Sequence, residues 1–127
     1  MSSPREWPDA TTEVAAALID AGFVARWSVP DPRPAKWVLV RRVGGPPSRA
    51  MDEADMDIEC WSGQPGDSPA AAHRLAAEVH EALVQLPRTP GPISHTRITG
   101  KTDAADPVSG APRVLIGCRV WLRPTAA

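Results

Sequence analysis

The chain lacks the features that mark secreted and membrane proteins. Among its 127 residues only Cys60 and Cys118 are cysteines, and no apolar run approaches the roughly 18–20 residues that span a bilayer. The N-terminal stretch MSSPREWPDATTE has no apolar segment of the kind found in a secretory signal. We therefore expect a protein that stays in a cytoplasm, with no membrane partner and with both cysteines as free, buried thiols.

The chain also lacks a charge excess of either sign. It has 14 Lys and Arg residues against 15 Asp and Glu residues, a net charge of -1. This balance argues against a strongly basic nucleic-acid-binding surface and against an acidic tail. The length and a hydrophobic content of 43% suit a single domain over 1–127, with short flexible termini at about 1–8 and 124–127.

The periodic segments predict an α+β fold in the order α-β-β-β-α-β-β. DATTEVAAALIDAG predicts a helix with Asp9 as N-cap and Gly22 at its end. A second helix is predicted to start with Ser68 as N-cap and to stop at Pro87. The predicted strands FVARWSV, KWVLVRRV, DMDIECW, PISHTRIT and RVLIGCRVWLRP make a small, mostly antiparallel sheet of four to five strands, with both helices on one face. The predicted core stripes are Val14, Ala17, Leu18 and Ala21, then Ala72, Leu75, Ala76, Val79, Leu83 and Leu86.

Alternation along three strands assigns their faces. The outward positions of DMDIECW are mainly acidic, and those of the last strand include arginines, so neighbouring strands would form cross-strand ion pairs. The acidic row could instead bind a divalent cation, although such a row is more often a solvated sheet face. In KWVLVRRV, Trp37, Leu39, Arg41 and Val43 share one face and Val38, Val40 and Arg42 share the other. The predicted inward residues of the other two strands are Met56, Ile58 and Cys60, then Val114, Ile116, Cys118, Val120 and Leu122. Their predicted outward residues are Asp55, Asp57, Glu59 and Trp61, then Arg113, Arg119, Trp121 and Arg123.

Two of the five tryptophans, Trp61 and Trp121, fall on these outward positions. Tryptophan beside arginine on a sheet face that does not meet the core indicates a protein–protein surface. The alternative is that the chain's own loops or its N-terminal segment cover this face. The sequence leaves both interpretations open.

Few residue combinations indicate catalysis. His73 and His80 are seven residues apart on the predicted second helix, roughly 10 Å, which is too far to share a metal ion, and His95 lies on a strand. No GxSxG or CxxC motif is present, and the inward position of Cys60 favours a core residue over a thiol nucleophile. We expect no enzymatic activity, no cofactor and no metal site.

The stretch KWVLVRRVGGPPSR, residues 36–49, ends a predicted strand in a glycine pair. A phosphate-binding loop would need GxGxxG or GxxxxGK[ST] leading into a helix, whereas here prolines follow and the next element is a strand. The pattern therefore indicates a hairpin connection. Running from Gly44 to Ala54, it is long for a hairpin loop, and long polar loops between strands are often contact elements.

The order of these segments resembles a known family. An N-terminal helix is followed by VPDPRP, VLVRRVGGP, a loop, DMDIECW, the helix AAHRLAAEVHEALVQLP and DPVSGAPRVLIGCRVWLR. Over nearly the whole chain this arrangement resembles the tail terminator (tail completion, minor tail) proteins of long-tailed bacteriophages, especially those that infect actinobacteria. VRRVGGP and DP-x-S-G-x-P-R are the most telling pieces.

The resemblance implies a small structural protein without catalytic activity that forms a ring, usually a homohexamer. The ring would cap the finished tail tube, end tail polymerisation and join the tube to the head connector. The implied partners are other copies of this chain, the major tail tube protein and the head–tail connector protein, with DNA met only as it passes through the ring lumen. The implied location is the head–tail junction of the virion, after assembly in the host cytoplasm.

A head–tail adaptor or another minor tail component is an alternative, and a small ligand-binding or enzymatic domain is an alternative of a different class. Under the leading hypothesis the strand end and loop from Arg41 to Arg49 contribute to ring or tube contacts. The predicted interface residues are Arg41, Arg42, Gly44, Gly45, Arg49, Trp61, Arg113, Arg119, Trp121 and Arg123.

Overall fold

The computed structural model describes residues 8–46 and 51–124, and its element order matches the prediction. The predicted flexible termini fall almost wholly outside these ranges. None of the helices in the described ranges is long and apolar enough to cross a membrane. In chain order the elements are α1 (Ala10–Asp20), β1 (Ala25–Arg26), β2 (Lys36–Gly44), β3 (Asp52–Ser62), α2 (Ala70–Gln85), a 3-10 turn (Leu86–Arg88), β4 (Ile93–Asp103) and β5 (Arg113–Leu122).

The strands form one five-stranded sheet in the order β1-β2-β3-β5-β4. Strand β1 pairs with β2 in parallel, and the other neighbours are antiparallel. The sheet is therefore mostly antiparallel, as predicted. Because the last strand lies between β3 and β4, its outward arginines lie directly beside the acidic row of β3.

Both helices pack on one face of the sheet, here called the inner face. Inward residues of β2, β3 and β5 join the helix stripes in one buried cluster, which includes the free thiols of Cys60 and Cys118. The opposite or outer face carries a smaller buried cluster of Trp37, Leu39, Trp61 and Ala111. The predicted face assignment of β3 and β5 is thus confirmed.

The helix ends follow local chemistry, with two corrections. Asp9 caps α1 as predicted, because its carboxylate accepts a hydrogen bond from the Thr11 amide at 3.1 Å. Helix α2 starts two residues after the predicted N-cap, although the Ser68 hydroxyl still accepts from the Ala70 amide at 3.2 Å. Ala21, predicted to face the core, is exposed because it follows the last turn of α1 and the chain turns at Gly22, where φ is +101°.

Three strand boundaries also differ from the prediction. FVARWSV contributes only the two residues of β1, because the proline-rich link that follows cannot continue a ladder. Strand β3 begins at Asp52, so the connection from Gly44 is shorter than predicted. Strand β4, predicted as PISHTRIT and so expected to end at Thr99, continues to Asp103 as an exposed edge strand paired with β5, which leaves 104–112 as the connection. An edge strand that faces solvent needs no alternation of apolar residues. The polar end of β4 therefore lacks the pattern from which a strand is predicted.

Candidate interaction surface

The end of β2 is held by Arg42, the second arginine of VRRVGG. Its Nη1 and Nη2 donate to the two carboxylate oxygens of Asp52 at 2.6 and 2.8 Å, and its Nε and Nη2 donate to the carbonyls of Gly44 and Gly45 at 2.9 and 2.6 Å. The hydrogen bond to Asp52 raises the pKa of Arg42. Asp52 is only 4% exposed, so Arg42 neutralises a buried carboxylate while it fixes the corner between β2 and β3.

The glycine pair allows this corner to form. Gly45 has a φ of +90°, and a Cβ there would lie 2.0 Å from the Glu53 carbonyl oxygen and 2.9 Å from the Asp55 amide nitrogen. No larger residue fits without moving the β3 backbone. Gly44 pairs with Asp55 just past an irregularity in the register after Arg42. The glycine pair therefore lets β2 and β3 approach each other closely at this corner. Arg49, the predicted contact residue of the same stretch, lies outside the described residues.

Ion pairs cross the outer face as predicted. Glu59, 3% exposed, lies 3.4 Å from the guanidinium of Arg113 and 3.3 Å from that of Arg41. Arg41 is itself exposed and also reaches Asp57 at 4.0 Å. One buried carboxylate thus joins β2, β3 and β5.

Trp61 is buried beneath the chain's own residues. Its ring stacks on Trp37 with a centroid distance of 5.3 Å and an interplanar angle of 15°. The guanidinium carbons of Arg33 and Arg113 each lie 5.3 Å from the Trp61 ring centroid. With Trp61 only 6% exposed, the interpretation that the chain covers this part of the face is the correct one there.

The DPVSGAPR segment supplies part of this cover. Asp106 Oδ2 accepts hydrogen bonds from the Ser109 amide at 3.0 Å and the Ser109 hydroxyl at 2.6 Å, and these bonds lower the pKa of Asp106. The Asp106 amide donates to the Ala111 carbonyl at 3.0 Å, and Gly110 takes a φ of +74°. The turn therefore closes on itself and places Ala111 in the cluster with Trp61.

The other end of the outer face is more open. Arg119 forms two hydrogen bonds with Asp55, Nε to Oδ1 at 2.8 Å and Nη2 to Oδ2 at 3.1 Å, and lies 3.6 Å from Glu53. The hydrogen bond from Arg119 is the main reason that the pKa of Asp55 is lowered, and the same bond raises the pKa of Arg119. Trp121 is half-buried, with its ring 4.9 Å from that of His95.

Arg123 differs from the other predicted arginines because it lies just beyond β5. It is exposed, its Nη1 donates to the Gly91 carbonyl at 3.4 Å and its amide donates to the Pro92 carbonyl at 2.9 Å. These contacts connect the end of β5 to the start of β4. The interface roles of Arg41, Arg119, Trp121 and Arg123 stay predictions.

The titratable residues weighed for catalysis are dispersed. His73 lies 3.4 Å from Asp103 and connects α2 to β4, whereas His80 is exposed on α2. Burial raises the pKa of both Cys60 and Cys118 to about 12, so neither thiol ionises near neutral pH. Within residues 8–46 and 51–124, no group of three histidine, cysteine or acidic residues is arranged to hold a metal ion.

Sequence reasoning missed the most exposed tryptophan of the described residues. Trp27 is 63% exposed and Val29 is 50% exposed, directly after β1. Because FVARWSV was predicted to be a strand, Trp27 and Val29 were expected to lie in a paired strand, and their exposure was not anticipated. The adjacent prolines were the available signal, since a segment that cannot pair leaves its apolar residues uncovered.

No protein-family model and no curated protein matches this chain. Among solved structures it is similar to a chain described as "Virion of native gene transfer agent (GTA) particle", with a TM-score of 0.57 and 18% sequence identity. The match covers 91% of this chain and 86% of that chain. At this identity the similarity shows a shared fold.

Proposed function

We propose that this protein is a structural component of a bacteriophage-like virion. The observation that carries the proposal is the extent of the fold similarity, since 91% of this chain superposes on 86% of a chain from a virion. A match over nearly both whole chains supports a role for the whole domain. The sequence resemblance to tail terminator proteins supports the same class from independent features.

The specific role that we propose is the ring that caps the tail tube, joins it to the head connector and ends tail polymerisation. A closed ring of identical chains uses two different surfaces on each copy. The fold offers separate surfaces for this purpose, because the sheet has distinct edges at β1 and β4 and the helices cover only its inner face. In this role the chain acts by binding, without catalysis.

Tail tubes provide the direct test. Purified protein is added to polymerising tubes of the major tail protein, and tube length and tube ends are recorded by negative-stain microscopy. We expect rings of about six copies, shorter tubes and density at one tube end. Tubes that elongate unchanged and carry no added density would contradict the terminator role. Binding to head connectors but not to tubes would instead support the head–tail adaptor alternative.

A ligand-binding role beside the paired tryptophans receives less support from the geometry. The cavity beside Trp37 and Trp61 measures about 250 Å³, below the roughly 300–1,000 Å³ of most small-molecule sites. Arg33 already lies over the Trp61 ring. A thiol enzyme is tested by Cys60→Ala: we expect tube capping to survive this change, and its loss in a folded variant would favour catalysis by Cys60.

A further inference from the structure

We infer that copies of this chain associate by placing Trp27 of one copy in a groove between α1 and α2 of the next. The inference rests on the proposed function, in which identical copies form a ring. It names the contact by which they would join. Tryptophan and arginine are the residues that most often dominate protein–protein interfaces.

The inserted part is the Trp27 knob, defined as Trp27 and Val29. These residues are 63% and 50% exposed and follow the two-residue edge strand β1. Pro30, Pro32 and Pro34 restrict the backbone of the segment that follows, so less conformational freedom remains to be lost on binding. Trp27 is therefore a preformed apolar projection whose burial is favourable.

The receiving part is the α1–α2 groove, which has a volume of about 470 Å³. Small alanine side chains keep it open, and no aromatic side chain lines it. A second, smaller depression of about 90 Å³ shares much of its wall and adds Glu13 and Ala16. The residues that line the groove include Ala17, Asp20, Ala21, Ala82, Leu86 and Pro90.

The charges of the two parts are complementary. The two charged side chains that line the groove and the adjoining depression, Glu13 and Asp20, are both acidic. Arg26 precedes Trp27, is exposed and uses one nitrogen to donate to its own Ala25 carbonyl at 2.8 Å. Its other donors are available to a carboxylate at the groove. Apolar burial would supply most of the affinity, and the charges would orient the contact.

The arrangement is compatible with a ring because knob and groove are different surfaces of one chain. The knob follows an edge strand of the sheet, and the groove lies between the helices on its inner side. Such a contact is heterologous, so an open assembly keeps one free knob at one end and one free groove at the other until it closes. A second copy of this chain would thus fill the groove with its knob and add one subunit to the assembly.

Association of purified variants tests the contact. Trp27→Ala removes the knob, Ala21→Trp fills the groove from an exposed position, and Val108→Ala is the control because Val108 is 93% exposed in the turn 106–112. Sedimentation velocity over a concentration series gives the association constant, and circular dichroism checks folding. We expect each of the first two changes to weaken association at least about tenfold, and the control to leave it unchanged.

Mixing the two defective variants is the most specific experiment. Trp27→Ala retains a groove and Ala21→Trp retains a knob, so the mixture should form heterodimers and nothing larger. Reversing charges adds a second readout: Arg26→Glu and Asp20→Arg should each weaken association, and their combination in one chain should restore it. Higher assemblies in the mixture, or no recovery in the charge-reversed double variant, would contradict the inference.

Cross-linking tests the contact if the wild-type chains associate too weakly for sedimentation to detect. A Ser28→Cys chain and an Ala16→Cys chain keep both Trp27 and the groove, and the buried native thiols do not compete. We expect a disulfide between the two chains. A wild-type protein that stays monomeric, together with no cross-link, overturns the inference.

The inference and the proposed function fail in different ways. Rings that form and cap tubes equally well with Trp27→Ala would refute the knob contact and leave the terminator role intact. Trp27-dependent assemblies that never bind tubes would refute the terminator role and leave the contact intact.

Discussion

Trp61 and Trp121 occupy the outer face of the neighbouring strands β3 and β5, yet their surroundings differ. Trp61 lies between Trp37 and two arginines and is 6% exposed. Trp121 is half-buried beside His95, in a region held by the Arg119–Asp55 ion pair. We call these regions the Trp61 end and the Trp121 end of the outer face.

The difference shows that an outward strand position does not determine what a side chain meets. At the Trp61 end, the link before β2 and the turn before β5 return over the sheet, so aromatic surface is buried by the chain itself. At the Trp121 end, the strands are joined by charged groups that water can still reach. Of the two tryptophans, Trp61 could meet a partner only after a packed cluster had opened, whereas Trp121 is already partly exposed.

The largest expected effect is that of Trp61→Ala. The change removes a stacked ring and leaves Glu59 without the indole N–H that donates to it at 3.2 Å. We expect the free energy of unfolding to fall by about 3–5 kcal/mol, measured by urea denaturation. The matched control is Trp121→Ala, for which we expect a loss of about 1 kcal/mol. Equal losses would show that the two ends do not differ in packing.

A somewhat smaller effect is expected for Arg42→Met, which tests the charged corner near the Trp121 end. The variant keeps much of the side-chain volume but leaves the buried Asp52 carboxylate unpaired. Because Arg42 itself is partly exposed, we expect a loss of about 3 kcal/mol, at the lower end of the range for breaking a buried ion pair.

The double variant Arg42→Met/Asp52→Leu isolates the cause. Replacing both charges removes the unpaired carboxylate, so stability should recover by more than half of the loss. A double variant as unstable as Arg42→Met alone would indicate that the hydrogen bonds from Arg42 to the Gly44 and Gly45 carbonyls matter more than the ion pair.

These elements also show how far sequence reasoning extends. Alternation predicted the inner face of β3 and β5 because a two-residue period is visible in Met56, Ile58 and Cys60. Alternation did not predict that β3 begins at Asp52, because a charged residue at an inward position is more typical of a loop than of a strand. Its partner Arg42 is ten residues earlier, and nothing in the local pattern connects the two.

The candidate site was less predictable than the fold for a related reason. Exposure depends on which distant segments fold back, and the residues that cover Trp61 come from the link before β2 and the turn before β5. Trp27 shows the converse, because a residue assigned to a strand becomes exposed when the strand ends after Arg26. Neither outcome follows from local periodicity.

Acid titration should give the smallest effects. Arg119 lowers the pKa of Asp55 at the Trp121 end, and Ser109 lowers the pKa of Asp106 in the turn at the Trp61 end. For an acid whose folded pKa is depressed, the added stability is present above its unfolded pKa, near 3.9, and is lost as pH falls through the folded pKa. We therefore expect the unfolding free energy to decrease as the pH falls below about 4, and less steeply in Asp55→Asn and in Asp106→Asn.

Added salt distinguishes the stability contributed by Asp55 from that contributed by Asp106. Lowering the pH alone does not, because it removes both contributions. Asp55 is held by a cation at a partly exposed site, so added salt should screen it. Asp106 is held by uncharged donors of Ser109, whose hydrogen bonds salt affects little. In high salt the pH dependence removed by Asp55→Asn should therefore shrink, while that removed by Asp106→Asn should persist. An equal response of both variants to salt would mean that the turn over Trp61 depends on charge as much as the Trp121 end does.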